Sequence, residues 1–184
     1  LYPQVQYNLY SANADDIKEK IDKGLIDIGL LTEPVDISKY NHLRIPLQEK
    51  WGIIVSKTNS LAHKPYVKKE DLKELPLFLT NREIVQSEIS NWLKGDVSLH
   101  SMFSYNFASA ILPFIQDDQG AAITVEGAYQ VLNQKNICFI PFYPELSTNT
   151  VFIWKKYTRL SPVIDRFIKK VQEYLEKSRS LYEK

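Results

Sequence analysis

The chain of 184 residues has the composition of an ordinary soluble globular protein, with 44% hydrophobic and 24% charged residues. With a formal net charge of +1, the chain has no strong overall electrostatic attraction to nucleic acid or to an anionic membrane. No apolar run approaches the roughly 18 residues of a transmembrane helix, and a single cysteine excludes an internal disulfide framework. We expect Cys138 to be a buried, inert thiol, which is consistent with a reducing cytoplasm.

The beginning of the chain predicts a strand, a helix and a second strand. Residues 5–10 alternate apolar and polar side chains, the period of a half-buried strand. Residues 15–23 predict a helix with Asn13 as its N-cap. Its apolar face carries Ile17, Ile21 and Leu25. Residues 26–31 form a short apolar run, which is typical of a strand buried on both faces of a parallel sheet. Together these elements predict a βαβ unit.

The rest of the chain predicts further alternation of strands and helices. Strands are expected at 43–47, 51–56, 77–79, 97–105, 121–125, 137–140 and 150–156. Helices are expected at 69–74, 84–93, 107–116, 127–132 and from Pro162 onward. The inward faces are predicted to be Ile84, Ile89, Trp92 and Leu93 in one helix and Ile164, Phe167, Ile168, Val171 and Leu175 in the last. This order predicts an α/β fold of two Rossmann-like lobes joined by a two-strand hinge, an arrangement that often closes on a ligand.

Several short motifs follow one another in a fixed order. They are Tyr2-Pro3-Gln4-Val5, Asn13, Gly24 to Leu30, Trp51 to Val55, Ser60-Leu61-Ala62, Glu70 to Pro76, Gly120 to Thr124, Trp154-Lys155-Lys156, Leu160-Ser161-Pro162 and Phe167. The ordered set resembles the effector-binding domain of LysR-type transcriptional regulators over nearly the whole chain. The resemblance implies a fold similar to type II periplasmic binding proteins, with lobe I at about 1–50 plus 152–184 and lobe II at 53–150. It also implies a small-molecule effector in the cleft and a homo-oligomer, dimer or tetramer, that controls DNA.

The resemblance also implies segments ahead of Leu1. Members of the family open this domain with a strand and a helix before the Tyr-Pro turn, and a DNA-reading helix-turn-helix precedes them. The chain begins with Leu1 and has no initiator Met. We therefore expect a longer protein in which DNA binding resides in that helix-turn-helix, outside this chain.

Polar residues at strand ends predict one wall of a ligand pocket, because ligands of open α/β sheets bind beyond the carboxyl ends of the strands. The candidate effector-binding residues are Ser11, Asn13, Thr32, Glu33, Thr80, Asn81, Arg82, Asn106 and Thr124. The resemblance places effector contacts at the last five of these positions. For Ser11 and Asn13 the alternative is plain helix capping. Arg82 either binds a carboxylate, pairs with Glu33 or is a surface residue. Glu33 either binds an amine or hydroxyl of the effector, pairs with Arg82 or is a solvated loop carboxylate.

No catalytic constellation supports an enzyme. The three histidines, His42, His63 and His100, are widely spaced, and the chain has no Gly-x-Ser-x-Gly elbow and no metal-ligand spacing. We therefore expect no metal and no cofactor, and we interpret the chain as an effector-sensing domain. Two alternatives share the lobed fold: an exported solute-binding protein, which would carry a signal peptide, and an enzyme such as a dehydratase or deaminase, which would need an acid–base pair in the cleft.

Overall fold

The computed structural model describes residues 3–73, 75–95 and 101–182. The helices are α1 (Ala14–Asp22), α2 (Glu83–Leu93), α3 (Leu112–Gln116), α4 (Glu126–Leu132) and α5 (Pro162–Tyr182). The strands are β1 (Ile28–Thr32), β2 (Tyr40–Ser56), β3 (Leu77–Thr80), β4 (Ser101–Tyr105), β5 (Ala121–Val125), β6 (Ile137–Pro141) and β7 (Ser147–Lys155). Short 3₁₀ helices lie at Ser60–His63, Lys69–Leu72 and Ala108–Ile111. The prediction of a mixed α/β fold is confirmed.

Strand β2 joins the two halves of the fold. Its first part pairs antiparallel with β7, with a register shift between Ile45 and Gln48, and its last part pairs antiparallel with β5 and β6. The sequence predicted two separate strands here, at 43–47 and 51–56. They form one 17-residue strand because β7 supplies a continuous partner for the stretch between them.

The first half-sheet has the order β1-β7-β2 and is covered on one face by α1. Ile17 and Ile21 of α1 are buried as predicted, and the Asn13 side chain caps the helix. Helix and strand approach closely at Gly29, where an added Cβ would lie 2.7 Å from Ile17 Cγ2. Leu25 follows the helix and is 65% exposed, so its predicted place on the buried face is wrong.

The predicted βαβ unit is wrong. Residues 5–10 contain no strand, and Leu9 among them is 97% exposed. The alternating pattern was present, but a strand also needs a neighbour that accepts and donates its backbone hydrogen bonds. In the described part of the chain β1 pairs antiparallel with β7 and not with residues 5–10. Strand β1 also buries only one face, since Leu31 is buried while Leu30 is exposed.

The second half-sheet continues from β2 through β5, β3 and β4, and β6 pairs with the other edge of β2. The pairs β3–β4 and β3–β5 are parallel. Helix α2 buries Ile89 and Leu93 as predicted, and Trp92 is half-buried against the same core. Ile84 is 41% exposed, so its predicted inward place is wrong, and Val85 is buried instead. Residues 97–100 of the predicted strand lie outside the described residues.

Two other predicted helices have different forms. The predicted helix at 107–116 is split into a 3₁₀ helix and α3, because Pro113 has no N–H to continue an α-helical ladder. The predicted helix at 69–74 is a 3₁₀ helix over Lys69–Leu72. Cys138 is half-buried, and burial raises the pKa of its thiol, so the expectation of full burial is wrong.

Helix α5 returns to the first half-sheet. Its predicted apolar stripe includes Ile168, which is buried, while Ile164, Phe167, Val171 and Leu175 are only half-buried. The Phe167 ring lies 6.1 Å from that of Phe152 on β7 and 6.0 Å from that of Tyr7. Of the helices in the described residues, none has the length and apolar character needed to cross a membrane.

Candidate functional site

Arg82 connects the two halves of the fold. It lies between the end of β3 and the beginning of α2, and only 12% of its side chain is exposed. Its Nη2 donates a hydrogen bond of 2.9 Å to the carbonyl oxygen of Pro34, in the loop after β1. Its Nε lies 3.7 Å from Oδ2 of Asp15 in the first turn of α1. We call these two contacts the Arg82 bridge.

The charge of Arg82 is only partly compensated. Burial lowers the pKa of the guanidinium, and Asp15 opposes that shift. The Asp15 side chain is 58% exposed and therefore well solvated. Among the described residues, Nε of Arg82 has no hydrogen-bond acceptor. A guanidinium has several N–H donors in a fixed plane, so this side chain retains donors for a further anionic partner.

A cavity of about 360 Å³ lies at the ends of β3 and β4, and we call it the amide cavity. It is lined by Asn13, Asn81, Phe103, Ser104, Tyr105, Asn106, Ala110 and Ile111. Three of these lining residues are asparagines, and they come from three different segments. Each amide can donate and accept, which suits a ligand with hydroxyl or carboxylate groups. The cavity thus collects polar groups from both halves of the fold.

The lining of the amide cavity is held by local hydrogen bonds. Oδ1 of Asn13 accepts from the backbone N–H groups of Asp15 and Asp16, so its amide NH₂ group is oriented and remains available. The backbone N–H of Asn81 donates to the carbonyl oxygen of Tyr105, which ties the ends of β3 and β4 together. The Tyr105 hydroxyl donates to the carbonyl oxygen of Ile123 at 2.7 Å, and burial raises its pKa to about 12.

A second cavity, of about 340 Å³, lies beside the strands that connect the two halves, and we call it the hinge cavity. It is lined by Glu33, Pro34, Val35, Asp36, Trp51, Ile84, Glu88, Ser147, Thr148 and Asn149. The Thr148 hydroxyl donates to the carbonyl oxygen of Glu33 at 2.6 Å. The Glu33 carboxylate pairs with Arg44 at 3.0 Å, so the alternative that it pairs with Arg82 is wrong.

The candidate residues named from the sequence fall into four groups. Asn13, Asn81 and Asn106 line the amide cavity, Glu33 lines the hinge cavity, and Arg82 forms the bridge. Ser11, Thr32, Thr80 and Thr124 line neither cavity. Thr124 is buried within β5, and the Thr80 hydroxyl lies 3.4 Å from the backbone nitrogen of Arg82.

Sequence reasoning missed other lining residues. Ser104 and Tyr105 end β4, so the strand-end rule could have found them together with Asn106. Trp51 and residues 147–149 meet only because β2 and β7 pair around Lys50 and Ser147, a long-range register that no local pattern reveals. No group of three or more potential metal-ligating side chains occurs in the described residues.

Comparison with known proteins identifies relatives. A family model described as the LysR substrate binding domain matches residues 1–176. The HTH-type transcriptional regulator YvbU of Bacillus subtilis (strain 168), itself uncharacterized, is 22% identical over 125 residues, which cover 68% of this chain and 42% of YvbU. The chain spans about half the length of the curated relatives that it matches, 42% and 58% in two cases.

Solved structures share the fold. The effector-binding domain of QuiR in complex with shikimate superposes with a TM-score of 0.80 at 12% identity, covering 96% of this chain and 84% of that one. The regulatory domain of CcmR from Synechocystis PCC6803 in complex with 2-PG gives a TM-score of 0.76 at 15% identity, covering 95% and 83%. The predicted likeness to type II periplasmic binding proteins is confirmed at the level of the fold.

Proposed function

The chain belongs to the LysR substrate-binding domain family, and from that premise we propose that it senses a small anionic, hydroxylated effector in the amide cavity. The observation that carries this proposal is the Arg82 bridge. Arg82 directly follows Asn81, which lines the amide cavity, and this mostly buried cation contacts the loop after β1 and the first turn of α1. Its Nε has no acceptor among the described residues. A carboxylate or phosphate at this position would complete the hydrogen bonding of the guanidinium.

The chemistry of the cavity supports a ligand of this class. Asn81 and Asn106 line the cavity and offer both donors and acceptors, which fit hydroxyl groups. Arg82 is not part of the lining but is the next residue after Asn81, and it supplies the positive charge. QuiR, one of the structural relatives, holds shikimate, which is a small hydroxylated carboxylate. The acidic residues in the first turn of α1 disfavour an anion bound directly to that helix terminus. We therefore place the anionic group at Arg82.

We further propose how binding is transmitted. Lobe I comprises about 1–50 plus 152–184 and lobe II about 53–150, and the paired strands β2 and β7 connect them. A ligand anion competes with Asp15 for Arg82, so it changes the relative free energies of the interlobe angles and shifts their populations. A homo-oligomer, dimer or tetramer, passes this change to a helix-turn-helix that lies elsewhere in the full protein, in the cytoplasm.

This mechanism requires binding and no covalent chemistry. Family membership favours a regulator over the exported solute-binding protein considered from the sequence. It also favours a regulator over an enzyme built on the same lobes. DNA is a partner of the full protein only through the helix-turn-helix.

A thermal-shift panel of small hydroxylated carboxylates and phosphates, with shikimate and glycerate among them, tests the proposal. The strongest binder is then titrated calorimetrically into the wild type and into Asn106→Ala, which removes a lining amide. We expect affinity to fall at least about 10-fold, or 1.4 kcal/mol. Asn41→Ala, an exposed asparagine on β2 outside both cavities, is the matched control and should bind like the wild type. Equal affinities in Asn106→Ala and wild type would show that the effector does not bind in the amide cavity.

A further inference from the structure

We propose that the hinge cavity is a second ligand site, which binds a small organic cation that carries a protonated amine and a neighbouring hydrogen-bond acceptor. This site is separate from the amide cavity and takes a ligand of opposite charge. Its lining comes from the loop after β1, from α2 and from the strands that connect the two halves.

The charge of the hinge cavity is negative. Three carboxylates line it, those of Glu33, Asp36 and Glu88, and none of its lining residues in the described chain is basic. Arg44 compensates Glu33, but from a side chain that is 58% exposed. A backbone N–H and a hydroxyl of Ser38 lower the pKa of Asp36, so this carboxylate is ionised at neutral pH. A cation is the ligand that such a lining favours.

Glu88 is the carboxylate with the least compensation. It lies half-buried on α2, and the described residues provide no hydrogen-bond or ion-pair partner for it. An acidic cavity need not bind a ligand if its carboxylates form ion pairs within the protein, as Glu33 does with Arg44. That alternative does not account for Glu88.

Trp51 provides an independent observation. It lines the cavity, is only 6% exposed, and its indole Nε1–H has no acceptor among the described residues. A buried donor without an acceptor is costly, and most such groups in proteins have a partner. The face of an indole ring also attracts a cation such as a protonated amine. An amine with an adjacent hydroxyl or carbonyl would supply both the cation and the missing acceptor.

A ligand in the hinge cavity would contact both halves of the structure. Glu33 and Asp36 belong to the first half of the structure, Glu88 to the second, and Trp51 to the strand that joins them. A cation held by carboxylates from both halves favours the arrangement in which they lie close together. Binding in the hinge cavity would therefore be coupled to binding in the amide cavity, and the coupling is reciprocal.

The test uses the Trp51 indole N–H resonance in ¹⁵N–¹H spectra, assigned by its absence in Trp51→Phe. The probe is ethanolamine, compared at equal ionic strength with ethylene glycol, its neutral analogue, and glycolate, its anionic analogue. We expect a saturable shift of the Trp51 resonance with ethanolamine alone. A response that is absent, or equal for ethanolamine and ethylene glycol, would overturn the proposal.

Two matched variants test whether the carboxylate of Glu88 is needed for ethanolamine binding. Glu88→Gln should weaken ethanolamine binding at least about 10-fold, whereas Glu83→Gln, on the same helix but outside the cavity, should leave it unchanged. Equal affinities for ethanolamine in wild type and Glu88→Gln would also overturn the proposal. Asn106→Ala should not alter ethanolamine binding, so failure of this site and failure of the amide cavity are distinguishable.

Discussion

Replacement of Arg82 by methionine should weaken effector binding but leave the free energy of unfolding nearly unchanged. The substitution removes the charge and the hydrogen bond to Pro34 but keeps much of the apolar volume of the side chain. A hydrogen bond from a charged group contributes about 1.5–3 kcal/mol. The ion pair with Asp15 adds about 0–1 kcal/mol, because Asp15 is 58% exposed. These terms oppose the cost of burying a guanidinium, which is several kcal/mol.

The favourable contacts of Arg82 and the cost of burying its guanidinium nearly cancel. We therefore expect the free energy of unfolding of Arg82→Met to lie within about 1 kcal/mol of the wild type, a small change for one buried ion pair. Asp15 does not become a buried unpaired charge, since it is already solvated. Effector affinity, in contrast, should fall at least about 10-fold, because the anion loses its cationic partner.

Urea denaturation and calorimetric titration of the same preparations measure both quantities. Asp15→Asn is the matched control: it should change stability by less than about 1 kcal/mol and retain the effector, since Arg82 is then free to bind the anion. A loss of more than about 3 kcal/mol in Arg82→Met would show that the bridge is mainly structural. Unchanged effector affinity would refute the role of Arg82 in recognition.

Three further substitutions test the fold around the site. An alanine Cβ at Gly52 would lie 2.2 Å from the carbonyl oxygen of Ile140, so Gly52→Ala should destabilise by about 1–3 kcal/mol or more in urea; an unchanged midpoint would contradict this contact. Asn13→Ala should cost about 1 kcal/mol through loss of the α1 cap, and Asn13→Asp should restore it; equal stabilities of the two variants would show that the cap is not what stabilises α1. Burial raises the pKa of Tyr105 to about 12. The protonated hydroxyl therefore contributes to the free energy of unfolding below pH 10, and this contribution is lost as the pH rises towards 12, at about 1.4 kcal/mol per pH unit. Tyr105→Phe should lack this alkaline loss when unfolding is measured from pH 9 to about 12.

Local patterns predicted the elements whose causes are local. The strand at 121–125 was predicted at its observed bounds, and the Asn13 cap, the helix after it and the helix that begins at Pro162 were predicted nearly so. Capping, helical periodicity and turn residues act within a few positions of each other, so a single sequence reveals them.

Pairing over long distances was not predictable in the same way. Residues 5–10 have the pattern of a strand but no partner, and β2 is continuous because β7 lies beside it. The candidate site followed the same division. The strand-end rule found Asn81 and Asn106, whereas the hinge cavity depends on the register of β2 and β7. The contacts of the Arg82 bridge likewise join segments that are distant in the sequence.

Amide hydrogen exchange of the chain, with and without the strongest binder from the thermal-shift panel, tests the central claim most directly. If the effector binds in the amide cavity, protection should increase at residues 80–82 and 104–106 and at the beginning of α1, which supply its lining and the Arg82 bridge. Protection confined to 33–36 and 147–149, or to α5, or absent from every segment, would contradict the account.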